Sequence, residues 1–195
     1  PRFGCFSADF GLTHIWYKNA RLLKITPWDS RENGESLFAL TDGVRIPLLA
    51  GAECSFEQGF TSWTKEVDGQ TVRVRVCVLP EECVRVVVIE AERGGLMIDW
   101  FAAPLLAESE NDRKGVVTAY DTETGCITAE NPFLQHLDPA AAAFCAWPAP
   151  SAITCSEAEF QSGMFYAPET QEASGRIAAF RIALPAGTEG ARAVL

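Results

Sequence analysis

The chain has 195 residues, 48% apolar and 22% charged, an ordinary globular balance that excludes collagen-like, disordered and membrane-spanning classes. Its net charge of −10 repels polyanions, which excludes nucleic acid as a partner class. At about 150 residues per domain, the length favours one domain over residues 1–195, with enough bulk for a core of its own. Helical spacing of apolar residues is absent, whereas short alternating runs bounded by Gly, Pro, Asn and Asp recur. The expected class is therefore all-β, with many short strands in stacked antiparallel sheets.

In chain order, strands are expected near Leu37–Leu40, Glu53–Phe56 and Thr61–Glu66. A hairpin follows over Thr71–Glu90. With a loop over residues 79 to 83, Val78 would face Val84, Val76 would face Val86 and Val74 would face Val88. That register puts these valines on one face and Cys77 opposite Arg85, with Arg73, Arg75 and Arg85 on a solvated or partly paired outer face and an anion site as the alternative. A strand is expected at Leu96–Ala102, then a polar loop or short helix over Pro104–Gly115. A second hairpin spans Val116–Glu130, turned by Asp121–Gly125. Ala141–Ala146 and Arg176–Leu184 read as further strands, and the final stretch from Leu184 as a strand, a turn and a strand cut short. The first residue is Pro rather than Met, and the reading is an excised piece truncated at both ends.

The seven cysteines, at 5, 54, 77, 83, 126, 145 and 155, include no C-x-x-C pair, and the two histidines are far apart. No metal site or cofactor is expected. An odd number of cysteines reads as half-buried reduced thiols of a cytoplasmic protein. No G-x-S-x-G, phosphate loop or H-E-x-x-H motif occurs, so no catalytic residue is assigned. A sugar epimerase would need an acid and a base, and His14 or His136 with Glu35 or Glu130 could be drafted, although their spacing does not select them.

The tryptophans at 16, 28, 63, 100 and 147 are a richer signal, because sugar-binding faces stack flat rings on pyranose C–H faces. Residues 16–35 add Tyr17, Asn19, Arg21, Asp29, Arg31, Asn33 and Glu35, groups able to bond hydroxyls. The same residues could equally plug a core and cap turns.

Asn19-Ala20-Arg21, then Thr26-Pro27-Trp28-Asp29, then Gly34-Glu35 resembles the N-terminal sandwich domain of glycoside hydrolase family ninety-four, formerly glycosyltransferase family thirty-six, the cellobiose and chitobiose phosphorylases. Gly59-Phe60-Thr61 through Val78-Leu79-Pro80, the run from Gly125 to Asn131-Pro132-Phe133, and Leu184-Pro185-Ala186-Gly187 are similar to further motifs of that domain, in order. The chain departs from the family at Asp29-Ser30-Arg31-Glu32 and at Ser156-Glu157. The resemblance implies a galactose-mutarotase-like super-sandwich, joined in a longer protein to a catalytic (α/α)6 barrel and commonly homodimeric. It also implies a non-catalytic role: carbohydrate binding, active-site shaping or dimer contact in an inverting glycoside phosphorylase. The substrate-binding candidates it suggests are Trp28, Asp29 and Arg31, supported by Asn19, Arg21 and Glu35. Two alternatives stand beside it: an independent carbohydrate-binding module with Trp28 and Trp63 as platform, and a mutarotase-like aldose epimerase.

Overall fold

The computed structural model describes residues 2–27, 34–134, 141–169, 174–186 and 189–195. Strands β1 (Phe3–Ala8) and β2 (Gly11–Tyr17) form a hairpin. Next come β3 (Glu35–Thr41), β4 (Val44–Pro47), β5 (Glu53–Glu57), β6 (Phe60–Val67), β7 (Gln70–Leu79), β8 (Val84–Arg93) and β9 (Met97–Ala102). A 3-10 turn, Glu110–Gly115, precedes β10 (Val117–Asp121), β11 (Cys126–Glu130) and β12 (Ala141–Phe144). After β13 (Ala152–Thr154) comes the only α-helix among the described residues, α1 (Glu157–Ser162), followed by β14 (Ser174–Gly175), β15 (Ala178–Ala183) and β16 (Glu189–Val194). No helix among the described residues is long and apolar enough to cross a membrane.

The all-β class holds. Among the described residues the strands make four sheets, with orders β1-β2, β12-β11-β10-β14, β13-β15-β9-β3-β4 and β16-β8-β7-β6-β5, and every strand pairing is antiparallel. Leu37, Ile98, Trp100 and Phe180 of one five-stranded sheet share an apolar cluster with Val72, Val74, Val87 and Ile89 of the other. The same cluster takes in Leu12 of β2 and Ile127 of β11, so all four sheets contribute to one core, each such large side chain giving about 1.5–3 kcal/mol.

The β7–β8 register differs from expectation by one residue. Leu79 pairs with Val84, Val78 with Arg85, Val76 with Val87 and Val74 with Ile89. The connection is the four residues Pro80–Cys83 rather than a five-residue loop, with Cys83 in the left-handed region at φ 54°. Side chains alternate along a strand, so the shift turns Val87 and Ile89 into the core, with Val84, Val86 and Val88 on the opposite face. It also carries Arg85 inward, against the expectation of a solvated arginine face. Arg75 stays outside, paired with Glu90 at 2.5 Å. Cys77 faces Val86, and Cys77 and Cys83 are both free thiols.

The expectation of seven thiols is also corrected, because Cys126 and Cys145 form a disulfide and Cys5, Cys54, Cys77, Cys83 and Cys155 are free. Trp63 cannot be a sugar platform. It is fully buried, and its indole N–H donates to the Ala8 and Asp9 carbonyls at 3.2 and 3.0 Å, pinning the tip of the β1–β2 hairpin to β6. The Asp121–Gly125 turn forms as expected: Asp121 accepts from the Glu123 N–H at 2.9 Å and the Thr124 hydroxyl at 2.7 Å, and Gly125 has φ 69°.

The sheet that carries β3 and β9 contains a buried charge. Asp99, fully buried, accepts from Arg45 at 2.9 Å and from Arg181 at 2.7 and 2.8 Å. Arg45 lies 4.0 Å over Phe160 of α1 and Arg181 lies 4.2 Å over Phe165, so the short helix is fastened by guanidinium–ring stacking. Removing one member of a buried ion pair costs about 3–5 kcal/mol because its partners stay desolvated and uncompensated. Asp99→Ala is expected to lower the unfolding free energy by about that amount in urea titrations, whereas Arg73→Ala on the exposed face should change it by less than about 0.5 kcal/mol.

Candidate binding cavity

The segment between β2 and β3 holds most of the residues singled out by the sequence, and the structure assigns several of them to building the chain. Asn19 folds its side-chain oxygen back onto the N–H groups of Arg21 and Leu22 at 2.9 and 3.1 Å, an Asx turn. Thr26, fully buried, accepts from the Ile15 N–H at 3.0 Å and so stitches the segment to β2. Pro27 lies against Gly34, where an added Cβ would meet the proline ring at 3.1 Å. Arg21 points to solvent, its side chain 86% exposed and 4.0 Å from Glu108. Trp28, Asp29 and Arg31 lie outside the described residues, as does His136.

Glu35, at the start of β3, is drawn inside. Its carboxylate accepts two bonds of 2.5 Å from the Arg85 guanidinium of β8 and one of 2.7 Å from the indole N–H of Trp100 on β9. The side chains of Arg85 and Glu35 are 8% and 1% exposed. Burial pushes the Arg85 guanidinium down, but the charge and the hydrogen bonds of Glu35 together outweigh it and raise the value. Three strong donors occupy the Glu35 carboxylate, so it is a structural anchor rather than a group facing a ligand.

Arg85 and Trp100 belong to the lining of a cavity of about 720 Å³. Its walls come from Phe3 and Ile15 of the first hairpin, Val84 and Val86 of β8, Ala141–Phe144 of β12, and Val194 of β16. The volume lies within the range of about 300–1,000 Å³ typical of small-molecule sites. Polar groups are few: Tyr17, Lys24, Cys83 and Arg85. Trp147 also lines it yet is 65% exposed, which places this ring at the mouth. Its backbone pairs with Val194, through Trp147 N–H to the Val194 oxygen at 2.8 Å and the reverse bond at 2.6 Å, so the ring stands on a fixed backbone.

Of the acid and base candidates, Glu130 is exposed at the end of β11, whereas His14 is buried and its ring nitrogens lie 3.1 Å from the carbonyl oxygens of Thr26 and Ala20. Burial lowers the His14 pKa, and the pull of those carbonyls does not restore it. Among the described residues no three His, Cys, Asp or Glu side chains gather as metal ligands. The sequence marked Glu35 but not its partner, because Arg85 was placed outside by the register, and Trp147 was one ring among five.

A scan against protein-family models matched none, and a search of curated proteins found no match.

The pH dependence of His14 has a definite sign. A base whose pKa falls on folding binds protons more readily in the unfolded chain. Its stabilising contribution is complete above the unfolded value of about 6.5 and is lost as pH falls through the lowered folded value. Urea midpoints measured at pH 7.5 and 5.5 are expected to fall more steeply in the wild type than in His14→Gln, the carboxylate background cancelling in the difference.

Proposed function

We propose that the chain is a non-catalytic domain of a carbohydrate-active enzyme of the glycoside-phosphorylase kind, and that it contributes carbohydrate contact and active-site shaping through the cavity beside Trp147. The observation that carries this reading is the cavity itself: a largely apolar, ligand-sized concavity with one exposed indole at its mouth. A pyranose offers a C–H face to such a ring, while Tyr17 and Lys24 supply a hydroxyl and an ammonium for its hydroxyls. Two of the four groups drafted for acid–base work support a passive role, since Glu35 is held by Arg85 and Trp100 and His14 is buried against backbone carbonyls.

The shared core between the two five-stranded sheets is what a galactose-mutarotase-like super-sandwich requires, and we adopt that arrangement as part of the proposal. In this reading the reacting carboxylic acid and the phosphate site belong to a separate (α/α)6 barrel. Apolar surface around Trp147, together with Phe133 at 80% exposure, is suited to contact with that barrel or with a second copy. The independent carbohydrate-binding module is the second reading, favoured by the fixed, exposed Trp147 ring, which takes the place of the buried Trp63 in the platform.

Calorimetric titration with cello- and laminari-oligosaccharides tests the proposal. Wild-type chain should bind one of them with a millimolar Kd, and Trp147→Ala should weaken that binding at least tenfold, about 1.4 kcal/mol, with an unchanged circular dichroism spectrum. Absence of heat at millimolar sugar would remove the carbohydrate role. Phosphorolysis or hydrolysis of a β-glucoside by the purified chain alone would overturn the non-catalytic one.

A further inference from the structure

The cavity wall formed by residues 141–147 is thinly held. β12 is the edge strand of its sheet and pairs only with β11 among the described residues, through Ala141, Ala142, Ala143 and Phe144. Three of these side chains are methyl groups, so the strand buries little apolar area against its neighbour. The fourth, Phe144, packs on Trp100 with ring centroids 5.4 Å apart, Ala146 touches the core, and beyond them the chain is fixed by the Trp147–Val194 backbone pair and by one covalent link, Cys126 at the head of β11 to Cys145 one residue past β12. Cys145 is exposed and lines the cavity, and Cys126 is half-buried. A disulfide open to solvent belongs to the labile class, whereas one sealed in a core resists exchange.

We infer that the Cys126–Cys145 disulfide is a reversible redox latch that holds the β12 wall of the cavity in place, and that its reaction partner is a small dithiol or a dithiol protein. A thiolate of the partner attacks the exposed Cys145 sulfur, the Cys126–Cys145 bond breaks, and Cys126 leaves as a thiolate that takes a proton from water. The second thiol of the partner then attacks the mixed disulfide and releases Cys145 as a thiol. The protein gains two electrons and two protons, and the partner ends as its own disulfide. Reduction leaves the wall attached by a four-residue ladder of three alanines and Phe144, the Phe144 contact with Trp100 and one bridge, and residues 141–147 open while the two five-stranded sheets persist. The latch stands on geometry alone; only its effect on ligand binding rests on the function proposed above.

The test uses air-oxidised chain without ligand. Thiol titration in denaturant should find five thiols before dithiothreitol and seven after, in accord with the free cysteines. Hydrogen exchange followed by mass spectrometry should show protection across residues 141–147 falling at least tenfold on reduction, with β7 and β8 unchanged. The double variant Cys126→Ser/Cys145→Ser should exchange like the reduced protein with or without dithiothreitol, and Cys77→Ser should behave as the wild type. Seven thiols in the oxidised protein, or equal exchange at 141–147 in both states, would overturn the latch. Failure of sugar binding with a redox-dependent exchange pattern would remove the carbohydrate reading and leave the latch intact.

Discussion

One ion pair joins the two large sheets and decides how they meet. Strand β8 carries Val84, Val86, Val87, Val88 and Ile89, apolar on both faces, so hydrophobic burial discriminates poorly between registers separated by one residue. The discrimination comes from Arg85. In the observed pairing it enters the core side opposite Val78 and finds the Glu35 carboxylate of β3 and, through it, the indole of Trp100. One residue of slip would carry Arg85 to solvent and strand Glu35 without its cation, a cost of about 3–5 kcal/mol that exchanging one valine for another does not offset. A buried pair of this kind stabilises little relative to a well-packed apolar alternative, but it selects one register from several that burial would tolerate.

That selection also creates the cavity. Arg85 and Trp100 form part of its lining, and the small side chains of β12 leave the volume in front of them open. The motif residues act one step further out. Asn19 closes a turn, Thr26 stitches the segment to β2, and Pro27 packs on Gly34 directly before Glu35. Close approach recurs at Gly4, where a Cβ would stand 2.3 Å from the Trp16 ring. Among the described residues of the run between β2 and β3, the polar side chains of Asn19 and Thr26 are thus committed to building the segment that leads to Glu35.

Much of the architecture was legible from alternation and turn chemistry. The strands of both hairpins, the Asp121–Gly125 turn and the all-β class follow from period-two runs and from residues that tolerate a left-handed backbone. The register was not legible, because a valine run presents the same pattern on either face and only contact with a strand fifty residues away distinguishes them. The first hairpin was missed too: β1 and β2 interleave Phe6, His14 and Trp16 in a stacked set that does not alternate simply, with His14 buried and Phe6 half-exposed. Cysteine spacing gave no sign of the Cys126–Cys145 pair, because the link follows from β11 and β12 lying side by side, with Ile127 opposite Phe144. For the site, sequence reasoning reached Glu35 through its motif but could not distinguish Trp147 at the mouth from Trp63 and Trp100 in the core.

The alanines of β12 and the disulfide behind them answer the same structural problem. A wall strand of larger side chains would gain about 0.8 kcal/mol for each buried CH2 and would fill the space now open beside Arg85 and Trp100. Keeping that space leaves Phe144, packed on Trp100, as the one large apolar side chain of the strand. A covalent closure over a sequence separation of 19 residues restrains the unfolded wall by about 3 kcal/mol in the chain-entropy account, comparable to the contacts three alanines forgo. An open cavity and a cross-linked wall are therefore coupled features: the volume in front of the wall requires small side chains, and small side chains require a hold beyond the packing of Phe144.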